Sequence, residues 1–328
     1  MPIMNWTHPD NLAHDYPLFR VGPFGCGLCG QNQSTNPKSG ELKYSINGNS
    51  RLSSEQQKQY EDQGFIIIKN LIPKHDIEKY SKRFHDIASR RVPTPPGLVV
   101  QKEVKAAKES QSENSVYKLW DLFNDDQLFD YCLHPRLLPY VEAFCGPNVM
   151  AVHTMLINKP PDSGANSSRH PLHQDMHLVP ITPADRIVVA WTALEAVNRA
   201  NGCLSVIAGT HKGPLLEHDY PRWEGGFNAL YQGVKDMTGS ENRVHIEADA
   251  GDCLLFHPNL IHGSGANRSQ GYRKAITCHF AASDYDYVDV KDTIHESAAN
   301  EVLAMLDRKF GHKFDKYYVW LCSDRLVQ

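Results

Sequence analysis

No run of apolar residues approaches the ~18–20 needed to cross a bilayer, Phe65–Ile68 being the longest conspicuous stretch, so a membrane span is excluded. There is no excess of positive charge either. Lys and Arg number 34 against 38 Asp and Glu, and the net charge of -4 offers no global field for a nucleic-acid backbone. No nucleic-acid partner is expected. The opening Met1–His8 segment has neither the basic start nor the apolar stretch of a secretory signal, which points to an intracellular protein. Cysteine is sparse: eight residues scattered through 328 are too few to staple a secreted fold, and they are expected to be reduced and mostly in the core. Cys26 and Cys29 have zinc-ligand spacing, but no second pair stands nearby, and a lone C-x-x-C is weak evidence of a metal or redox site. Internal repeats and low-complexity tracts are absent.

What is present is the composition of a protein with a packed core, 41% apolar and 22% charged. The length suits one enlarged domain. Residues 1–50 are rich in Gly, Pro, Asn and Ser without periodicity and read as an irregular N-terminal extension. Residues 51–328 read as a single domain. Ser53-Ser54-Glu55-Gln56 caps a short helix that stops at Gly64, and Phe65–Lys69 has the β-branched character of a strand. Ile77, Tyr80, Phe84 and Ile87 lie at helical spacing, and a further helical pattern runs from about Asp126 to Phe144. From Val149 to about 285 the texture changes to short β-prone runs between turn residues, the pattern of a sandwich or barrel. Glu296–Phe310 closes the chain with a helix. The expected fold is mainly β with flanking helices.

His173-Gln174-Asp175 sets an imidazole and a carboxylate two residues apart, which on an extended chain puts both on one face. Two histidines and one carboxylate on one side of an ion, with the opposite side open, form the facial triad of non-haem Fe(II) oxygenases. His262, in the run His257–Gly265, is the candidate for the second histidine. Local alternation alone leaves rivals, His177 beside the first pair and His257 and His279 beside the second. Further on, Arg273, Ala275, Thr277 and His279 share a strand face, and an arginine pointing into a small-residue interior requires an anion. A dicarboxylic 2-oxo acid supplies one, with its first carboxylate on the metal and its second gripped by Arg273.

The stretch from His153 to Phe280, especially His153–Asp162, Arg169–Asp175, Asn201–Leu204, Gly209–Gly213 and His257–Gly265, resembles the phytanoyl-CoA dioxygenase family. The likeness reaches back through Leu52–Leu71 and Tyr117–Asp121. It implies a double-stranded β-helix, a cupin-like jelly roll, with iron on His173, Asp175 and His262. It further implies 2-oxoglutarate bound by Arg273 and Ser264, with Lys118, Met155 and Trp191 around the same pocket, O2 as co-substrate and ascorbate supporting activity. The implied reaction is hydroxylation of carbon 2 of a fatty acyl-CoA, 3-methyl-branched as in phytanoyl-CoA, releasing succinate and CO2 in fatty acid α-oxidation. The family's halogenases replace the metal carboxylate with a small residue, whereas Asp175 is retained, which favours hydroxylation. His170, His211 and His279 read as supporting or core histidines, and Lys102–Lys108 as a solvated helix face or a basic patch for coenzyme A phosphates. Competing readings are a relative acting on another small molecule and a non-catalytic cupin-like binding protein. The resemblance implies a peroxisomal protein, with cytoplasm the alternative, although the chain ends Arg325-Leu326-Val327-Gln328 and not in a Ser-Lys-Leu type tripeptide.

Overall fold

In the computed structural model, Ser53 opens the first helix, Ser54–Gln63, with a reciprocal capping box. Its side chain accepts from the Gln56 backbone, the Gln56 side chain accepts from Ser53 N–H, and Gly64 ends the helix in the left-handed region. A cap of this kind is worth about 1 kcal/mol. The structure describes residues 42–46, 48–102, 116–162, 168–222, 230–237, 242–310 and 325–326. Cys26 and Cys29, and Glu103–Lys108, lie outside them. The Lys74–Ala88 helix buries the stripe of Ile77, Tyr80, Phe84 and Ile87 that its spacing predicts. Glu296–Phe310 is a helix with the expected bounds.

The larger of two main sheets is antiparallel and runs in the order Phe65–Ile68, Cys253–Phe256, Ile187–Ala193, Arg273–Ala282, Val149–Lys159, Val116–Trp120, Val99–Lys102, with Arg325–Leu326 added beside Val149–Lys159. The smaller sheet runs Val244–Ile246, Leu204–Val206, His262–Ser264, His170–His173. Strand alternation explains why the central strands are apolar on both sides. Ile276, Cys278 and Phe280, with Val188, Ala190, Cys253 and Leu255, join the helices in one core around Tyr80, Phe84 and Phe144. Their neighbours of opposite alternation, Ala275, Val189, Trp191, Leu254 and Phe256, meet Leu204, Val206 and Ile246 of the smaller sheet in a second core. The result is a jelly roll with helices on its outer face, as expected. Five cysteines among the described residues, Cys132, Cys145, Cys203, Cys253 and Cys278, are free and buried.

Two expectations need correction. The helical pattern from Asp126 to Phe144 is two helices, Asp126–Phe129 and Leu138–Cys145, with turns between them. Pro135 lacks an N–H, and its ring disfavours helical backbone at His134, so the periodicity could not be realised as one rod. Lys102 does not start a helix face: Val99–Lys102 pairs with Val116–Trp120 as two strands extending the sheet. Both strands precede Val149, where the short β-prone runs are expected to begin.

Candidate active site

His173 ends its strand, and the extended Gln174 carries the chain into a turn of 3-10 helix beginning at Asp175. Gln174 points away from the centre and is pinned there. Its amide nitrogen donates to Asn259 Oδ1 at 2.8 Å and to the Pro214 carbonyl at 3.0 Å, and its carbonyl accepts from Leu216 N–H at 2.9 Å. The alternation around this anchored residue leaves His173 and Asp175 on one side. His262 starts its own strand directly opposite His173, and their ring centroids are 4.2 Å apart.

Both imidazoles are oriented by backbone. His173 Nδ1 donates to the Pro171 carbonyl at 2.9 Å and His262 Nδ1 to the Leu260 carbonyl at 3.0 Å, so each Nε2 keeps its lone pair. His173 Nε2 lies 3.2 Å and His262 Nε2 3.7 Å from Asp175 Oδ1, and one donor atom from each of the three residues lies within 4.8 Å of the others. Donors at right angles about 2.1 Å from an ion stand about 3 Å apart, so the spacing suits a facial metal site. Burial pushes His262 down to about 4, which keeps it neutral and able to ligate. The other Asp175 oxygen is 2.9 Å from His279 Nε2, a contact that leaves Oδ1 to face the two histidines.

The three donors open onto a cleft of about 820 Å3, its open mouth included, floored by the larger sheet. Register lays side chains across that floor in rows. Trp191, Thr277, Met155 and Trp120 are successive partners, as are Ala193, Ala275, Ile157 and Lys118. At the far end Arg273 pairs with Lys159. Arg273 is 2% exposed, donates from Nη2 to the Gly202 carbonyl at 2.8 Å, and sits 5.4 Å from the Trp191 ring, while its Nε–H has no acceptor among the described residues. Burial lowers even this guanidinium to about 10 and lowers Lys118 to about 8. Lys118 lies against the Trp120 and Tyr231 rings, at 5.0 and 5.2 Å. A buried guanidinium with an unmet donor, and no carboxylate within ion-pair distance among the described residues, fits an anionic ligand.

The cleft thus brings together His173, Asp175, His262, Arg273, Lys118, Met155, Trp191 and Ser264, every site residue expected from the sequence. Of the three rival histidines, His177 and His257 fall outside the cleft lining, whereas His279 lies within it. His177 stacks on His218 and contacts Gln232 Oε1 at 2.6 Å, and His257 faces Asp185. His279 supports Asp175, His170 lies between the His173 and Tyr231 rings, and His211 packs beside Tyr44 away from the cleft. Sequence reasoning gave no role to Lys159 or Tyr231, which also line it. Lys159 shares the alternation of Met155 and Ile157, a readable signal, whereas Tyr231 lies in an irregular segment without periodicity.

Fold and site define a class, the jelly-roll proteins that include the 2-oxoglutarate-dependent oxygenases. The epimerase SnoN, solved with Fe3+, alpha ketoglutarate and nogalamycin RO, shares the fold at a TM-score of 0.55 and 19% identity, over 80% of this chain and 91% of that one. Within that class, the sequence model of the phytanoyl-CoA dioxygenase (PhyH) family matches residues 60–275. The peroxisomal phytanoyl-CoA dioxygenase of Rattus norvegicus is 50% identical over 292 residues, and that of Homo sapiens 48%, each match covering 88% of this chain and 86% of the relative. The chain belongs to the phytanoyl-CoA dioxygenase family. Among the described residues, no helix is long and apolar enough to cross a membrane.

Proposed function

We propose that the protein is an Fe(II)- and 2-oxoglutarate-dependent oxygenase that hydroxylates carbon 2 of a 3-methyl-branched fatty acyl-CoA such as phytanoyl-CoA, with release of succinate and CO2. The carrying observation is one cleft holding three convergent metal donors and, across the sheet, a buried Arg273 with an unmet donor. His173, Asp175 and His262 would hold the iron, and Arg273, Ser264, Lys118, Met155 and Trp191 the 2-oxoglutarate. When bound, iron and the 2-oxo acid together activate O2 for insertion of oxygen into an unactivated C–H bond.

The chain's own residues position and exclude. Arg273 and Ser264 would hold the far carboxylate of the 2-oxo acid and so orient it in the cleft. His279 keeps Asp175 Oδ2 occupied, so that Oδ1 would be the oxygen offered to the metal. Val189, Leu204 and Phe256 give the cleft an apolar wall suited to an acyl chain and to keeping bulk water away. The reading takes residues 51–328 as one catalytic domain. Relatives named as peroxisomal, at 48–50% identity, support the same compartment here.

The test is anaerobic reconstitution with Fe(II), then addition of 2-oxoglutarate, ascorbate and O2, with and without phytanoyl-CoA. Succinate matched one-to-one by 2-hydroxyphytanoyl-CoA is expected. Succinate without hydroxylated product would discard the substrate, and no succinate under any condition would leave a binding protein.

A further inference from the structure

Lys159 and Arg273 are cross-strand partners, 6% and 2% exposed, and neither has a carboxylate within ion-pair distance among the described residues. Two buried cations side by side repel, so what holds Lys159 there requires an account. Its ammonium has three N–H bonds and three acceptors: the Ser168 carbonyl at 2.6 Å, the Gly265 carbonyl at 2.7 Å and Ser264 Oγ at 2.8 Å. The corner is built closely around it. A Cβ on Gly202, whose carbonyl accepts from Arg273, would come within 3.0 Å of the Lys159 stem and 2.7 Å of the Gly265 carbonyl oxygen.

Ser264 is the informative member of this set. Its oxygen accepts from Lys159, and its own O–H has no acceptor among the described residues while the side chain lines the cleft with Arg273. A hydroxyl whose lone pair is taken by an ammonium is fixed in rotation and polarised as a donor. We infer that Lys159 is a positioning residue: it holds Ser264 so that the hydroxyl donates to the distal carboxylate of the 2-oxo diacid gripped by Arg273. The inference rests on the function proposed above. The carboxylate in turn supplies the negative charge that the Lys159–Arg273 pair lacks. Lys159 itself touches no reacting atom.

A double-substitution cycle on binding, independent of turnover, tests this. Affinities for 2-oxoglutarate and for pyruvate, which lacks the distal carboxylate, are measured by anaerobic calorimetry on the Mn(II)-loaded protein and its Lys159→Met, Ser264→Ala and combined variants. Ser264→Ala is expected to weaken 2-oxoglutarate ~10-fold and Lys159→Met at least as much, while the combined variant falls well short of the product of the two. Pyruvate affinity is expected to stay the same throughout. Multiplicative effects, or equal losses for both acids, would overturn the positioning role and leave Lys159 a structural residue. If Lys159→Met does not fold, Lys159→Gln takes its place in the same cycle, where a loss for 2-oxoglutarate that adds nothing to Ser264→Ala sustains the inference and a multiplicative or absent loss overturns it. Failure of the unaltered protein to bind 2-oxoglutarate would instead sink the oxygenase reading, and this inference with it.

Discussion

Replacing Arg273 with methionine should move two measurements in opposite directions. In the ligand-free protein this guanidinium is buried with one carbonyl bond, an unmet Nε–H and a neighbouring cation in Lys159. Removing such a charge for an apolar side chain of similar length is neutral or stabilising, by about 1–4 kcal/mol where buried charges have been exchanged. With 2-oxoglutarate the sign reverses, because a charge-assisted pair worth about 3 kcal/mol is lost, roughly a hundredfold in affinity. Urea unfolding of the Mn(II)-loaded protein reads both. At a ligand concentration about 100 times its dissociation constant the unaltered protein gains about 2.7 kcal/mol, whereas a hundredfold weaker variant gains only about 0.4 kcal/mol. A variant that 2-oxoglutarate stabilises as much as the parent would refute the assignment of Arg273 to the distal carboxylate. A variant far less stable without ligand would show that the guanidinium is satisfied in a way the cleft does not suggest.

Asp175→Ala should abolish metal binding measured by calorimetry and abolish turnover while leaving a cooperative thermal transition; retained iron affinity would remove Asp175 from the ligand set. His279→Phe, which frees Asp175 Oδ2, should weaken metal affinity about 10–100-fold, and an unchanged affinity would make that contact incidental. Burial depresses His153 to about 3 and His211 to about 4, so both are neutral when folded and protonate when unfolded below about 6.5. Their contribution is complete above that pH and is lost as pH falls toward 4, with His153 alone worth about 1.4 kcal/mol per unit. Urea midpoints of the metal-free protein that stay level from pH 7.5 to 5 would contradict this. Gly251 has φ +92°, and a Cβ there would meet the Ile72 carbonyl, so Gly251→Ala should cost about 2–3 kcal/mol; a wild-type midpoint would refute the strain argument.

Much of this is legible in the sequence. The capping box at Ser53, the stripe of the Lys74–Ala88 helix and the two-residue spacing of His173 and Asp175 are local patterns, and local geometry preserves them. The pairing of His262 with His173 depends on register between strands far apart in sequence, which alternation alone could not provide. His177 shared the spacing of His173 and Asp175 but was carried out of the cleft when the strand gave way to 3-10 helix at Asp175. The alternation of Lys159 with Met155 and Ile157 is local, whereas its significance depends on Arg273 across the sheet. Pro135 shows the reverse case, a breaker plainly written in the sequence that an apolar periodicity had masked.

The Arg273–Ala282 strand divides its substitutions by parity. Changes at Ile276, Cys278 or Phe280 enter the helix-side core and should lower the amount of folded protein, leaving the rate per folded molecule nearly intact. Changes at Arg273, Thr277 or His279 enter the cleft and should produce well-folded protein that is catalytically poor. Loss-of-function variants one residue apart on this strand would therefore call for opposite remedies: a stabilising chaperone for Ile276, Cys278 and Phe280, and none that acts through folding for Arg273, Thr277 and His279.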